Sequence, residues 1–327
     1  MSDHDLLEAA RAGSEDAFRR IVEDHRAELH VHCYRMLGSL HDAEDALQDT
    51  LLRAWRGLPD FSGRSSLRTW LHRIATNACL NELERKERRV LPVEWGPATD
   101  AGAASFAALD GVAWLEPLPD DPEQRATDRE SVELAFVAAV QHLSSNERVA
   151  LLMFEVLGFS NREIAELMGT TTASVRSALQ RARQVVAQRL PERTQQATLA
   201  ALGDEGQRRL ISRYTAALQQ HDIEGMLALL TEDATWSMPP MSCWFQGHEA
   251  IAAFLSASPF KVRWRHRPAR ANGQLAVGGY AWDDATRTFA AYALDVLELR
   301  GDRIASVVSF IDGARFGSFG LPPALSD

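Results

Sequence analysis

The chain has 327 residues, of which 46% are hydrophobic, and a formal net charge of −10 at pH 7. This length predicts two or three domains, and no apolar run is long enough to cross a bilayer. The acidic N-terminus carries no signal-peptide pattern, and three well-separated cysteines (Cys33, Cys79 and Cys243) favour reduced thiols. We therefore expect a cytoplasmic protein without membrane contact.

Charge is distributed unevenly along the chain. Residues 1–50 contain 12 acidic and 5 basic residues, whereas residues 51–90 contain 4 acidic and 9 basic residues. The local field governs phosphate binding, so the second stretch could contact nucleic acid although the whole chain is acidic. We expect such a protein to bind free DNA poorly.

Residues 5–90 predict a domain of successive amphipathic helices. In HDAEDALQDTLLRAWRG (41–57), apolar residues at three- and four-residue spacings form a core stripe. Another face of this helix is mostly polar but includes a leucine, which fits either a solvated surface or a surface for a protein partner. The residues of that face are Asp42, Asp45, Gln48, Leu52 and Arg56.

A basic helix is predicted over residues 67–85, after a Gly/Ser-rich loop. Unpaired bases are held by stacking and by hydrogen bonds to their edges, and this segment supplies an aromatic ring, amides and hydroxyls. Trp70 fits a core position as well as a stacking platform, and His72 is among the residues that can face outward. The candidate DNA contacts are Phe61, Arg64, Ser65, Ser66, Arg68, Arg73, Asn77 and Asn81.

Residues 91–128 are rich in Pro, Ala, Gly and Asp and predict an acidic linker. Helical periodicity resumes in a second domain, 129–191, which Pro191 ends. Within it, Ser160 and Glu163 form a capping box, Gly169 permits a tight turn, and a threonine near 171–172 caps another helix. This spacing predicts a helix-turn-helix whose second helix enters the major groove, although a helical hairpin with a solvated basic face would share the pattern. The candidate DNA contacts are Thr172, Ser174, Arg176, Ser177, Gln180, Arg181 and Arg183.

These two helical segments resemble a known family. Residues 34–89 resemble region 2, and residues 146–183 resemble region 4, of extracytoplasmic-function (ECF) sigma factors of the sigma-70 family. The resemblance implies an all-α region 2 bundle and an all-α region 4 helix-turn-helix. It also implies that the polar face of helix 41–57 docks on the β′ clamp helices of core RNA polymerase, and that region 4 binds the β flap. The basic segment would capture the melted −10 element of promoter DNA, and the recognition helix would read the −35 element.

The C-terminal part, 206–327, shows a helix pair and then short alternating runs typical of strands, which predicts an α+β domain. It resembles the SnoaL-like, polyketide-cyclase-type cone fold of one ECF subgroup, through residues 214–240, the run Trp244–x–x–Gly247–x–x–x–Ile251–x–x–Phe254, and residues 310–322. The linker segment WLEPLPDDPE (114–123) also resembles that subgroup. A cone fold implies an apolar pocket. The candidate lining residues are Trp236, Trp244, Tyr280, Trp282, Tyr292 and Phe310.

Within that domain, Asp295 and Asp312 are candidate general bases, but Asp295 could equally sit at a strand edge beside Arg287 or Arg303. We expect no enzyme activity and no cofactor. His25, His30, His32 and Cys33 do not share one helix face well enough to predict a metal site. The resemblance therefore predicts an alternative sigma factor modulated by its own C-terminal domain, which could contact the linker or the sigma domains. The rival interpretations are a ligand-sensing helix-turn-helix regulator and a DNA-tethered SnoaL-like cyclase or hydrolase.

Overall fold

The computed structural model is largely helical before residue 230 and largely β-sheet after it. The described residues are 3–100, 102, 104–120 and 132–326. Residues 121–131, which hold the end of the predicted linker and the start of the predicted 129–191 domain, lie outside them. The helices, in chain order, are α1 (Asp3–Arg11), α2 (Glu15–Leu37), α3 (Leu40–Gly57), α4 (Leu67–Leu83), α5 (Pro92–Trp95), α6 (Leu134–Gln141), α7 (Ser145–Leu151), α8 (Asn161–Met168), α9 (Thr172–Ala187), α10 (Gln195–Gln220), α11 (Ile223–Leu227) and α12 (Gly247–Ala257).

The chain divides into two compact units. Unit 1 comprises residues 1–89 and 135–190, and unit 2 comprises residues 90–134 and 191–327. The predicted linker therefore contributes its described part to unit 2. Among the described residues, no helix is both long enough and apolar enough to cross a membrane.

Unit 1 joins the two predicted helical regions around one set of buried side chains. Ser39 caps α3 by accepting a hydrogen bond from the backbone N–H of Asp42 (3.1 Å), and α3 then buries the predicted apolar stripe. Farther along, the buried Arg148 donates to the side-chain oxygen of Gln141 (2.8 Å) and to the carbonyl of Met36. A buried guanidinium needs such partners, so this residue ties α7 to the end of α2.

The helix-turn-helix forms as the sequence predicts. Ser160 and Glu163 cap α8 reciprocally, and Gly169 ends it in the left-handed conformation (φ 61°). Thr171 caps α9 by accepting from the backbone N–H of Ser174 (3.1 Å). The inward residues of α9, including Val175 and Leu179, are buried.

Unit 2 contains a mixed seven-stranded sheet packed against α10, α11 and α12. Its strands are β1 (Leu230–Ser237), β2 (Trp244–Gln246), β3 (Trp264–Ala271), β4 (Gln274–Asp283), β5 (Thr288–Arg300), β6 (Arg303–Phe310) and β7 (Ala324–Leu325). The strand order is β2-β1-β6-β5-β4-β3, with β7 paired to β5, and only β1 and β6 run parallel. This arrangement confirms the predicted α+β domain.

The described linker residues pack on this sheet. The side chain of Asn272 accepts from the backbone N–H of Leu118 (2.9 Å) and donates to the carbonyl of Val132 (2.8 Å). Nearby, Asp120 accepts from the backbone N–H of Gly273 (2.7 Å), and Arg315 pairs with Glu116 (2.7 Å). The predicted contact between the C-terminal domain and the linker is therefore present within unit 2.

Candidate functional site

The exposed side of α3 carries four of the five residues predicted for a protein partner. Asp45, Gln48, Leu52 and Arg56 are all exposed, and they recur at spacings of three and four residues, so they share one side of the helix. Leu52 is 56% exposed. A large apolar side chain among polar neighbours gives this surface, hereafter the α3 face, something to bury against a partner.

Asp42 differs from this expectation. Its side chain is buried and accepts hydrogen bonds from Lys86 (2.8 Å) and Arg89 (2.6 Å). Burial alone would raise the pKa of Asp42, but these two cations lower it below its ordinary value. The basic run after α4 thus returns to the start of α3, so Asp42 lies beneath the surface rather than on the α3 face.

The outer side of α4 presents three of the residues predicted to contact unpaired DNA. Arg73, Asn77 and Asn81 are exposed and lie four residues apart, so they form one row, hereafter the α4 row. In the preceding loop, Arg64, Ser65 and Ser66 are also exposed. Ser66 caps α4 by accepting from the backbone N–H of Thr69 (3.0 Å), which fixes the end of the loop against the helix.

Phe61 and Trp70 are core residues rather than free stacking platforms. Both are buried, and their ring centroids are 5.0 Å apart. The Arg11 guanidinium covers Phe61, 5.8 Å from the ring centroid. Phe61 follows the 3₁₀ turn Leu58–Asp60 and lies on the predicted loop, but its side chain is buried and not available to stack on a base.

Arg68 and His72 are also engaged inside unit 1. Arg68 pairs with Glu28, donates to the carbonyl of Leu157 (3.2 Å) and lies over the Phe159 ring. His72 is fully buried, and desolvation lowers its pKa despite the nearby Glu28 carboxylate. His72 therefore does not face outward as expected. Arg68 remains partly exposed, at 38% of its side chain, while it contacts the segment before α8.

The outer surface of α9 carries the predicted duplex-DNA contacts. Six of the seven residues are exposed, and Thr172, in the first turn, is half-buried. Arg181 pairs with Glu147 (2.7 Å), and Arg183 pairs with Glu155 (2.7 Å). The Arg183–Glu155 pair is exposed on both sides and contributes little energy, so Arg183 can exchange a carboxylate for a phosphate at small cost. Glu147 is only 16% exposed, so Arg181 is held more firmly. The exposed residues of this surface, hereafter the α9 face, are Ser174, Arg176, Ser177, Gln180, Arg181 and Arg183.

Family models match both helical regions and the C-terminal domain. Residues 21–89 match sigma-70 region 2, residues 133–186 match sigma-70 region 4, and residues 211–307 match a SnoaL-like domain. The ECF RNA polymerase sigma factor SigG of Mycobacterium tuberculosis is 43% identical, over 94% of this chain and 85% of that protein. The chain belongs to the ECF sigma factors.

Two further relatives are consistent with this family. The RNA polymerase sigma-H factor of Pseudomonas aeruginosa is 30% identical over 56% of this chain and 91% of that protein. The crystal structure of the Mycobacterium tuberculosis ECF sigma factor SigJ has a TM-score of 0.61 at 20% identity, and the match covers 92% of this chain and all of SigJ. The latter likeness shows the shared fold. As an alternative sigma factor, the protein binds core RNA polymerase and promoter DNA.

The SnoaL-like domain of this sigma factor encloses a cavity of about 230 Å³. Trp236 and Tyr292 line it, as predicted, together with Phe254, Trp264 and other apolar side chains. Besides the aromatic rings, four polar side chains line it, and no metal-binding cluster occurs in the described part of the chain. Those four side chains are Ser258, His266, Asp295 and Ser309.

Four residues predicted to line the pocket lie elsewhere. Tyr280 points to the other side of the sheet, where it packs edge-on against Phe316 (5.1 Å between centroids). Trp282 packs on Phe289, and Trp244 donates its indole N–H to the carbonyl of Gly96 (2.9 Å). The fourth, Phe310, is buried outside the cavity lining.

Asp295 lies at the centre of a hydrogen-bond network rather than at a strand edge. The Tyr214 hydroxyl donates to one carboxylate oxygen (2.8 Å), and the Ser309 hydroxyl donates to the other (2.6 Å). Trp236 in turn donates to the Ser309 oxygen (3.0 Å). Burial raises the pKa of Asp295 to about 6, although the bonds from Ser309 and Tyr214 oppose this. Among the described residues, the hydrogen-bond partners of Asp295 are Tyr214 and Ser309 rather than Arg287 or Arg303.

Tyr214, Ser309 and His266 were not predicted as site residues from the sequence. Tyr214 and Ser309 are 81 and 14 residues from Asp295 along the chain, so no local spacing joins them. His266 could have been found, because the alternation in VRWRHR separates it and Trp264 from the arginines between them.

Proposed function

We propose that this sigma factor binds the β′ clamp helices of core RNA polymerase through the α3 face. Leu52 carries the proposal, since its exposed side chain lies among polar groups on the region 2 helix that the family resemblance assigns to the clamp helices. Asp42 then supports the helix from below instead of touching the partner. Co-purification of the full chain with core polymerase tests this proposal. Leu52→Asp should abolish co-purification while leaving the helical content unchanged.

We further propose that the α4 row and the loop 64–66 hold the melted −10 element, while the α9 face reads the −35 element. Amides such as Asn77 can bond to exposed base edges, and Arg176 can donate two hydrogen bonds to a guanine. Arg176→Ala should weaken −35 binding by roughly 1–3 kcal/mol if it reads a base in this way. Arg162→Ala, which removes an exposed arginine from α8, is the matched control.

The SnoaL-like domain is proposed to modulate these activities through the linker. The bonds of Asn272 to Leu118 and Val132 hold the linker on the domain, which restricts the segment joining region 2 to region 4. A chain ending after Pro191 should therefore differ from the full chain in promoter-specific transcription. Equal activity of the two chains would contradict modulation.

A point variant weakens the linker contact while it keeps the domain. Asn272→Gly removes both hydrogen bonds, and glycine adopts the left-handed φ of 55° without strain. We expect this variant to change transcription in the same direction as the truncation. If only the truncation has an effect, modulation does not need the two side-chain bonds of Asn272, and the contacts through Asp120 and Glu116 become the next to test.

We propose that no step of this function requires catalysis by the chain, and that it acts in the cytoplasm with its polymerase. The ligand-sensing regulator and the DNA-tethered cyclase or hydrolase make a different prediction. Each would bind its DNA site tightly without polymerase and would not associate with core enzyme. Gel-shift measurements with and without core polymerase distinguish them from a sigma factor.

A further inference from the structure

The cavity of the SnoaL-like domain has the dimensions of a small-molecule site. Its volume of about 230 Å³ is many times the roughly 10–15 Å³ of such space that one water needs. Most of the lining is apolar, which favours an organic occupant over water. Tyr292, 42% exposed, lies on the cavity lining and also reaches solvent.

The carboxylate in this cavity lacks a counter-charge from the described residues. Asp295 is 6% exposed, and its hydrogen-bond partners, Tyr214 and Ser309, are neutral. An ionised carboxylate has about four acceptor positions, of which these two donors fill two. A buried anion without a cation is costly, so an occupant that brings a positive charge and N–H donors would be stabilised there.

The walls of the cavity suit the same kind of occupant. Trp236, Trp264 and Tyr292 line the cavity, and aromatic rings can contact an ammonium group as well as an apolar body. Desolvation lowers the pKa of His266 to about 4, so this ring is neutral at pH 7 and does not repel a cation. Its Nδ1 is buried without a hydrogen-bond partner among the described residues, so an occupant could also bond there.

We propose that this cavity binds a small hydrophobic amine in its ammonium form, with the N–H groups donating to Asp295 and the apolar body enclosed by the aromatic walls. The geometry disfavours an anionic occupant, because a second negative charge would face the Asp295 carboxylate. The inference deepens the proposed regulatory role of the domain and rests on that role for its biological meaning. The binding itself is tested independently of transcription.

Three probes of similar shape separate the contribution of ligand charge to affinity from that of ligand shape. Isothermal titration calorimetry of the full chain at pH 7.5 would compare 2-phenylethylamine, 2-phenylethanol and 3-phenylpropionate. Both probes can donate to the Asp295 carboxylate, but only the ammonium group also neutralises its charge, so the amine should bind at least about tenfold more tightly than the alcohol. The carboxylate should bind least. This comparison uses the unaltered protein, so it does not depend on the folding of a variant.

Two aspartate variants then locate the charge. Asp295→Asn should lower the affinity for the amine by at least about tenfold and change that for the alcohol by less than about threefold. Asp302→Asn, the same change on an exposed turn outside the cavity, should leave both affinities unaltered. Equal affinities for amine and alcohol, an Asp295→Asn variant that keeps amine affinity, or no binding of any probe at millimolar concentration would each overturn the proposal.

The failure of this proposal and the failure of the regulatory role give different results. If truncation after Pro191 changes transcription but the amine does not bind, the domain regulates without this ligand class. If the amine binds through Asp295 but truncation does not change transcription, the binding site exists and the regulatory role is contradicted.

Discussion

The two units place their candidate functional groups in opposite environments. In unit 1 the polar groups lie outside, on the α3 face, the α4 row and the α9 face, where a large partner can reach them. In unit 2 the polar groups of the cavity are enclosed, and Asp295 is almost inaccessible. Surfaces for macromolecules therefore follow from helix periodicity, whereas a small-molecule site depends on residues that only the fold brings together.

The largest expected effect comes from the free energy needed to ionise the buried Asp295 carboxyl group. Burial raises the pKa of Asp295 from 3.8 to about 6, so the folded state binds a proton more tightly than the unfolded state does. The penalty for ionising Asp295 is absent below pH 3.8 and complete above pH 6. The free energy of unfolding of Asp295→Asn, relative to that of the unaltered chain, should therefore increase as pH rises through this window. The increase should be on the order of 3 kcal/mol.

Urea denaturation at pH 4 and pH 7.5, followed by tryptophan fluorescence, measures this difference. The change between the two pH values isolates the carboxyl group, because the loss of hydrogen bonds to Tyr214 and Ser309 is similar at both. A gain in stability that is the same at pH 4 and pH 7.5 would show that Asp295 is not desolvated. The contrast between the two units would then be weaker than the structure indicates.

The second effect compares two aspartates three residues apart on α3. Asp42→Asn should destabilise unit 1 by about 2 kcal/mol, because it leaves Lys86 and Arg89 without their shared, largely buried carboxylate. Since the pKa of Asp42 is lowered, its contribution is present at neutral pH and fades as pH falls below 3.8. Thermal unfolding at pH 7 and pH 3 would record both the loss and its decline.

Asp45→Asn is the matched change on the exposed side of the same helix. Its carboxylate is 62% exposed and lies 3.6 Å from His41, so removal of its charge should alter stability by less than about 0.5 kcal/mol. Binding to core polymerase should weaken instead. If Asp42→Asn reduced polymerase binding without loss of stability, Asp42 would belong to the contact surface after all.

These pairs show which features could be predicted from the sequence. The apolar stripe of α3, the capping box of α8 and the α9 face all follow from local spacing and were predicted. The burial of Asp42 was not, because the cations that cover it lie more than forty residues away in the chain. The burial of Phe61 was not predicted for a similar reason, since a turn and Arg11 determine its position.

The strands of unit 2 show a different limit on what the sequence can predict. A β-bulge interrupts the pairing of β4 with β5 between Gly279 and Tyr280, where Ala293 and Ala291 lie opposite. The extra residue, Tyr292, lines the cavity together with its neighbour Ala293, which a simple alternation would forbid. The resemblance to the cone fold therefore implied a pocket, but the aromatic residues of the sequence could not predict which rings line it.

A smaller effect is expected from the α4 row. Asn77→Ala should slow promoter opening by about tenfold, the equivalent of one or two hydrogen bonds to an exposed base. Core binding should remain intact because the α3 face is unchanged. Asn146→Ala, an exposed asparagine on α7, is the control. Permanganate footprinting of the −10 element and polymerase co-purification would measure the two properties, and equal losses in both would assign Asn77 to stability or core binding instead.

The smallest effect tests whether the exposed ion pairs on the α9 face compete with DNA. Glu155→Gln removes the partner of Arg183, and because both side chains are about half exposed, stability should change by less than about 0.5 kcal/mol. The freed arginine and the lost negative charge should strengthen −35 binding by the polymerase complex, by no more than about fivefold and less at high salt. Glu249→Gln, an exposed glutamate of the SnoaL-like domain, changes the net charge equally and should have no such effect. Weaker DNA binding by Glu155→Gln would mean that Glu155 positions Arg183 for its phosphate. The α9 face, like the cavity, would then depend on a contact between residues that only the fold brings together.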